Sequence, residues 1–177
     1  MDIAILTLLI IINGVFAMSE IALVTARKSR LQRLAEDGDN SAAVAMRLGE
    51  DPTQFLSTVQ IGITAIGIMN GIVGEAALAG PLADMLGQYG LDDQTSSITA
   101  TTLVVVVITY FSIVVGELVP KRIGQFHAEG IAIFMAKPIS VLAAMSRPFV
   151  FLLSASTDGL LRLMGKKELN SANLTEE

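Results

Sequence analysis

The chain has 177 residues, 52% hydrophobic and only 16% charged, with a net charge of −5 and a mean hydropathy of +0.62. A soluble domain carries about a quarter charged residues, so this composition describes an integral membrane module. The absence of cysteine excludes disulfides and thiolate metal sites, and a single histidine, His127, argues against a zinc centre or a histidine-based triad.

The first apolar stretch runs from about Ile3 to Val24. Its cations follow it rather than precede it, the reverse of a signal peptide, so it reads as a retained helix. The next segment, "TARKSRLQRLAEDGDNSAAVAMRLGEDPTQFL", is amphipathic, with Leu31, Leu34 and Ala35 on one helical face. Gly38 and its turn-forming neighbours split it into two short helices, the second closed by Gly49 and Pro52. A second span covers about Phe55 to Ala79, and a loop bearing Asp84, Asp92 and Asp93 leads to a third, about Ile98 to Val119. Each span is close to the ~20 residues a helix needs to cross the hydrocarbon core. The apolar remainder, about 124–164, is cut at Lys137-Pro138 and Arg147-Pro148 into pieces too short to span, and reads as an interfacial belt at the cytoplasmic face. The alternative is a fourth full span. Residues 166–177 read as the start of a cytoplasmic linker. The expected fold is thus an all-α membrane protein: three transmembrane helices, juxtamembrane amphipathic helices and a Pro-broken interfacial belt.

Charge gives the orientation. Arg27, Lys28, Arg30, Arg33 and Arg47 lie between the first two spans, no Lys or Arg occurs from Leu48 to Pro120, and cations resume at Lys121 and Arg122. The positive-inside rule then puts the N-terminus outside, the Arg27–Arg47 segment and the C-terminus in the cytoplasm, and the Asp-bearing loop outside. The expected location is the cell inner (plasma) membrane, with the lipid bilayer and no nucleic acid as partner.

The polar residues inside the spans carry the functional argument, because intramembrane ionisable groups are costly. Span one has Asn13-Gly14 near its middle and Ser19-Glu20 in its cytoplasmic half. Span two carries Gln60, Thr64, Gly67, Gly71 and Gly74 on one face, with Asn70 beside it; span three has Thr109, Ser112, Gly116 and Glu117. Plainer readings compete. Gly67 and Gly71 suit close helix packing, serine and threonine in such helices bond back to their own backbone, and Glu20 and Glu117 could be interfacial acids paired with Arg27, Lys121 or Arg122. Taken together, Ser19, Glu20, Asn70, Ser112 and Glu117 offer hydroxyl, amide and carboxylate oxygens, the hard ligands that suit Mg²⁺, Ca²⁺ or Na⁺. Gly116 before Glu117 and Pro120 after it invite local unwinding, which would free carbonyls for a cation.

"FAMSEIALV", "GITAIGIMNGIVGEAAL" and "VGELVPKRIG" together resemble the CorC/cyclin-M family of magnesium transporters, over about Ile3 to Gly165. The resemblance implies a homodimer of three-span modules and a Mg²⁺ site open to the cytoplasm, with efflux coupled to Na⁺. Carried over by motif, Ser19, Asn70 and Glu117 are the implied metal ligands, with Ser112 and the Gly116 carbonyl as further contributors; Pro120 and Lys121 match but look structural. The resemblance implies that a cytoplasmic CBS-pair domain usually follows this module; residues 166–177, ending "NSANLTEE", are expected to be linker rather than part of one. A non-transporting anchor or sensor would explain the spans but leave Glu117 and Asn70 without purpose. An intramembrane enzyme would need a nucleophile and base that the spans do not offer, so no catalytic residues are expected.

Overall fold

The computed structural model describes residues 2–50 and 52–164, and these contain helix, turns and no strand. In chain order the helices are α1 (Asp2–Thr25), α2 (Lys28–Glu36), α3 (Asn40–Glu50), α4 (Pro52–Gln88), α5 (Asp93–Ile113), a π-helical turn (Val114–Leu118), α6 (Val119–Phe126) and α7 (Ala128–Leu163). The linker expected at 166–177 lies outside the described residues.

Local sequence explains most of the boundaries. α2 and α3 are the two short amphipathic helices, and the break falls at Gly38, whose φ of +99° is the left-handed conformation that glycine takes without strain. Pro52 opens α4, where its missing N–H costs nothing. Gly90, at φ +94°, turns the chain between α4 and α5. Asp92 caps α5: its carboxylate accepts from the Thr95 N–H at 3.0 Å and from the Thr95 hydroxyl at 2.8 Å. Those bonds, above all the one from the Thr95 N–H, hold the Asp92 carboxyl below its ordinary value of 3.8. Its stabilising effect is therefore present above pH 3.8 and fades as pH falls through the lower folded-state value. Asp92→Ala is expected to lower the thermal midpoint in detergent at neutral pH, and the gap from the native chain should close in strong acid, as followed by circular dichroism.

Two expectations about helix ends are corrected. α4 does not stop near Ala79 but continues through Pro81 to Gln88. The remainder after 124 is not broken by its prolines either: α7 runs uninterrupted through Pro138 and Pro148 for 36 residues. Each proline leaves one carbonyl without its helical donor. In apolar surroundings a full break would strand several more backbone groups, so the helix continues through the defect. Four helical runs, Asp2–Thr25, Gln54–Gln88, Asp93–Phe126 and Ala128–Leu161, are long and apolar enough to cross a membrane.

α1 is the central element, packed against α4, the π turn, α6 and α7. At one end Leu6, Val104 and Ile108 form a core with Val73 and Leu82. At the other, Leu31, Ala45 and Ala136 join α2, α3 and α7, while Phe55, Val59 and Ile139 join α4 to α7. α7 presents mostly small residues to this end: Ala128, Ala132, Ala136, Ile139 and Ala143 are buried, spaced four, four, three and four.

Candidate functional site

The π turn is where backbone chemistry and site meet. In an α-helical ladder the Gly116 carbonyl would accept from residue 120, but Pro120 has no N–H to give. The expected local unwinding takes a limited form, with no break in the helix. The helix widens by one residue, with the Val119 N–H bonding to the Val114 carbonyl five residues back. The Gly116 carbonyl is taken from outside its helix, by Asn13 Nδ2 at 3.0 Å, a buried bond between residues 103 apart in sequence.

Small residues make that approach possible. A Cβ at Gly116 would crowd Asn13 Nδ2 and the Ile10 carbonyl, and one at Gly14 would stand 2.9 Å from Pro120 Cγ. α1 and the π turn therefore touch almost backbone to backbone. Gly67 and Gly71 behave differently. Nothing lies within 4 Å of a Cβ at either, so within this chain they are not the packing seam their spacing suggested. Both border a cavity instead.

That cavity, about 220 Å³, lies among α1, α4, α5 and the π turn, and its polar lining is Asn13, Asn70, Thr109, Ser112 and Glu117. Asn70 is 1% exposed and Asn13 5%. Among the described residues, Asn13 Oδ1, both amide atoms of Asn70 and Ser112 Oγ are buried without a hydrogen-bond partner. A buried polar atom left unpaired costs about 1–3 kcal/mol, so several converging on one cavity make it the candidate place for ordered water or a polar ligand. The Asn13 amide is oriented by its bond to Gly116, which leaves its oxygen as the free atom. A larger cavity of about 400 Å³ between α1, α2, α3 and α4 is lined mainly by apolar groups such as Leu31, Met46 and Phe55, with only Lys28 and Glu50 charged. Glu50 is the one carboxylate in its lining, set opposite apolar walls rather than among other side-chain oxygens.

Of the five residues singled out in sequence, Asn70, Ser112 and Glu117 meet on the cavity wall. Ser19 does not line it: its hydroxyl donates to the Val15 carbonyl of its own helix at 2.6 Å. Gly116 stands just behind the wall, its carbonyl engaged by Asn13. The two serines thus divide, Ser19 following the back-bonding habit of helical serines and Ser112 escaping it. Glu117 also faces a cation of the chain. Lys121 Nζ lies 2.8 Å from Glu117 Oε1, one helical turn away, and 3.3 Å from Glu20 Oε2 on α1. Arg27 pairs with Glu129 instead, at 3.9 Å. Among the described residues no three acidic or imidazole groups converge to hold a metal, so any cation here relies on one carboxylate and neutral oxygens. Asn13 and Thr109 complete the lining. Asn13 carried a legible signal, an amide at mid-span, but no local pattern in α1 pairs it with residue 116.

Sequence comparison agrees with this architecture. A profile of the cyclin M transmembrane N-terminal domain matches residues 4–177, nearly the whole chain. The chain belongs to the cyclin M (CorC) family. Among its relatives are the UPF0053 protein sll0260 of Synechocystis, 46% identical over 96% of this chain, and the UPF0053 protein YhdT of Bacillus subtilis, 33% identical over 90%. Another is the polyamine export protein of Salmonella typhimurium, 32% identical over 96%. This chain spans 38%, 34% and 38% of the length of those three curated relatives respectively. It is a multi-pass membrane domain, and its cavity lies among helices that the family profile covers.

Proposed function

We propose that this cyclin M domain carries Mg²⁺ out of the cell, coupled to Na⁺ entry, through the cavity walled by Asn70, Ser112 and Glu117. The observation that carries the reading is the set of buried, unpartnered oxygens on three separate elements around one carboxylate. Mg²⁺ takes near-octahedral oxygen geometry and is commonly held by one or two carboxylates. Glu117 supplies that charge, and Asn13 Oδ1, Asn70 Oδ1 and Ser112 Oγ supply neutral ligands. Ser19 joins the shell by giving up its bond to Val15, and the Gly116 carbonyl by using its second lone pair.

The membrane arrangement is part of the proposal. Three spans, α1, α4 and the run from α5 to α6, cross the bilayer of the inner (plasma) membrane with the N-terminus outside and the Arg27–Arg47 segment cytoplasmic. α7 lies obliquely at the cytoplasmic end as a belt. Its Ile139 packs on Phe55 and Val59, while Leu153, roughly 21 Å further along α7, still borders a groove with Ser57, Gln60 and Thr64. So long an advance on α7 for so short a one on α4 favours a steep crossing over a parallel fourth span. Two copies pair as a homodimer.

Calorimetry on the detergent-purified chain tests the site. Mg²⁺ should bind the native chain, and Glu117→Gln and Asn70→Ala should each weaken it about tenfold or more with helicity retained. Unchanged binding in both variants would move the ion elsewhere. In proteoliposomes, Mg²⁺ movement that ignores an imposed Na⁺ gradient would remove the coupling.

A second reading has its own support. Glu117 already receives an ammonium group, that of Lys121, and one relative is named for polyamine export. A polyamine cargo would present the same group to the same carboxylate. Spermidine that displaces Mg²⁺ from the native chain, and fails to bind Glu117→Gln, would favour it.

A further inference from the structure

We propose that Lys121 is a tethered counter-cation at the mouth of the cavity, which an incoming cation must shift from Glu117 onto Glu20 in order to bind. The inference rests on the cavity being the cation site.

The geometry makes the two carboxylates unequal. Glu117 belongs both to the cavity wall and to the Lys121 ion pair, which at 2.8 Å is a hydrogen bond. Glu20 is not on the cavity wall, and its Oε2, 3.3 Å from the same ammonium, is buried and makes no hydrogen bond. Lys121 is therefore fully engaged with the carboxylate the cargo needs and only loosely engaged with the one the cargo does not touch. A divalent cation on Glu117 would repel an ammonium a few ångströms away, the more strongly in a partly desolvated site. The lysine stem is flexible and its ammonium is a compact point charge, so a small swing completes the bond to Glu20 without backbone movement. Glu20 then acts as a parking place, and its charge neutralises the ammonium whichever carboxylate holds it. In the absence of cargo the same ammonium keeps Glu117 from standing uncompensated inside the protein, a costly condition.

A lysine that only held the two acids in position would leave binding the same or weaker when removed. One that only repelled the cargo would leave Glu20→Gln weakening binding in the absence of Lys121 as well as in its presence. A counter-cation that competes would leave binding stronger. Mg²⁺ calorimetry on the full chain distinguishes these with four variants beside the native protein. Lys121→Met and Lys121→Gln should each bind Mg²⁺ about tenfold more tightly, the equivalent of one charge-assisted hydrogen bond. Glu20→Gln should bind several-fold more weakly, because the ammonium loses its second partner. Glu20→Gln combined with Lys121→Met should recover the tight binding, since without the ammonium no parking place is needed. Binding by both Lys121 variants that is unchanged or weaker, with native binding intact, overturns the proposal and leaves the site standing. Glu20→Gln binding as tightly as the native chain overturns the transfer to Glu20. No binding by the native chain or either Lys121 variant overturns the site reading itself, a different result. Nitrogen NMR of labelled lysine ammonium groups in the native chain supplies a readout that needs no variant to fold: one lysine signal should move on Mg²⁺ addition, and its failure to move while Mg²⁺ binds overturns the proposal.

Discussion

Asn13→Leu is expected to lower stability by about 1–3 kcal/mol and to abolish tight cation binding together. The Asn13 amide does two things at once: Nδ2 satisfies the Gly116 carbonyl that Pro120 cannot, and Oδ1 faces the cavity wall without a partner. Leucine fills similar volume, so the cost comes from the orphaned carbonyl rather than from lost packing. The physical cause can be isolated. Pro120→Ala gives residue 120 an N–H, so the turn can return to the α-helical register, in which the Gly116 carbonyl has an intrahelical donor. The Asn13→Leu and Pro120→Ala changes should then be less destabilising together than their sum. Thermal unfolding in detergent of the four proteins forms the cycle. Simple additivity would mean that the Asn13 bond does not substitute for the one proline removes.

Gly124→Ala is the second change with a large expected effect, at the contact that aligns Glu20 with Lys121. A Cβ at Gly124 would stand 2.6 Å from the Met18 carbonyl oxygen and against Ile21 Cγ2. A backbone oxygen cannot swing aside, so α1 and α6 must separate, an overpacking cost of about 1–3 kcal/mol. The separation would also lengthen the 3.3 Å contact between Lys121 and Glu20, two residues from Met18 on α1. Gly67→Ala is the matched control. Nothing lies within 4 Å of the added methyl there, and alanine favours a helix over glycine by up to about 1 kcal/mol. The control should therefore unfold at or above the native temperature while Gly124→Ala unfolds well below it. Equal midpoints would mean that α6 yields without strain.

Much of the architecture was legible because its causes are local. Hydropathy located α1, α4 and the α5–α6 run, glycine and turn formers located the break at Gly38, and the Asp-bearing loop contained the cap of α5. The prolines of the last third misled for an equally physical reason. Pro138 and Pro148 weaken a helix in water, where freed backbone groups find solvent, but in apolar surroundings α7 does better to continue through them. The site was legible in residue type and not in connection. Asn70, Ser112 and Glu117 declared themselves as polar groups in apolar spans, and they do share a cavity. That Ser112 would stay free while Ser19 bonded back to Val15 depended on which wall each hydroxyl met, which periodicity does not encode.

The sequence by itself determined the membrane class, the apolar helices, the charge asymmetry and the few carboxylates set among neutral oxygens, since hydropathy, charge and helix period act within a few residues. Pro120 even fixed which carbonyl would lack a donor in an α-helical ladder. The tertiary structure decided what answers that carbonyl: Asn13, 103 residues away, across a contact that only Gly14 and Gly116 permit. It also decided that Lys121 stands between Glu20 and Glu117. Both outcomes depend on the distance between two helix backbones, and that distance is set by packing across the whole bundle.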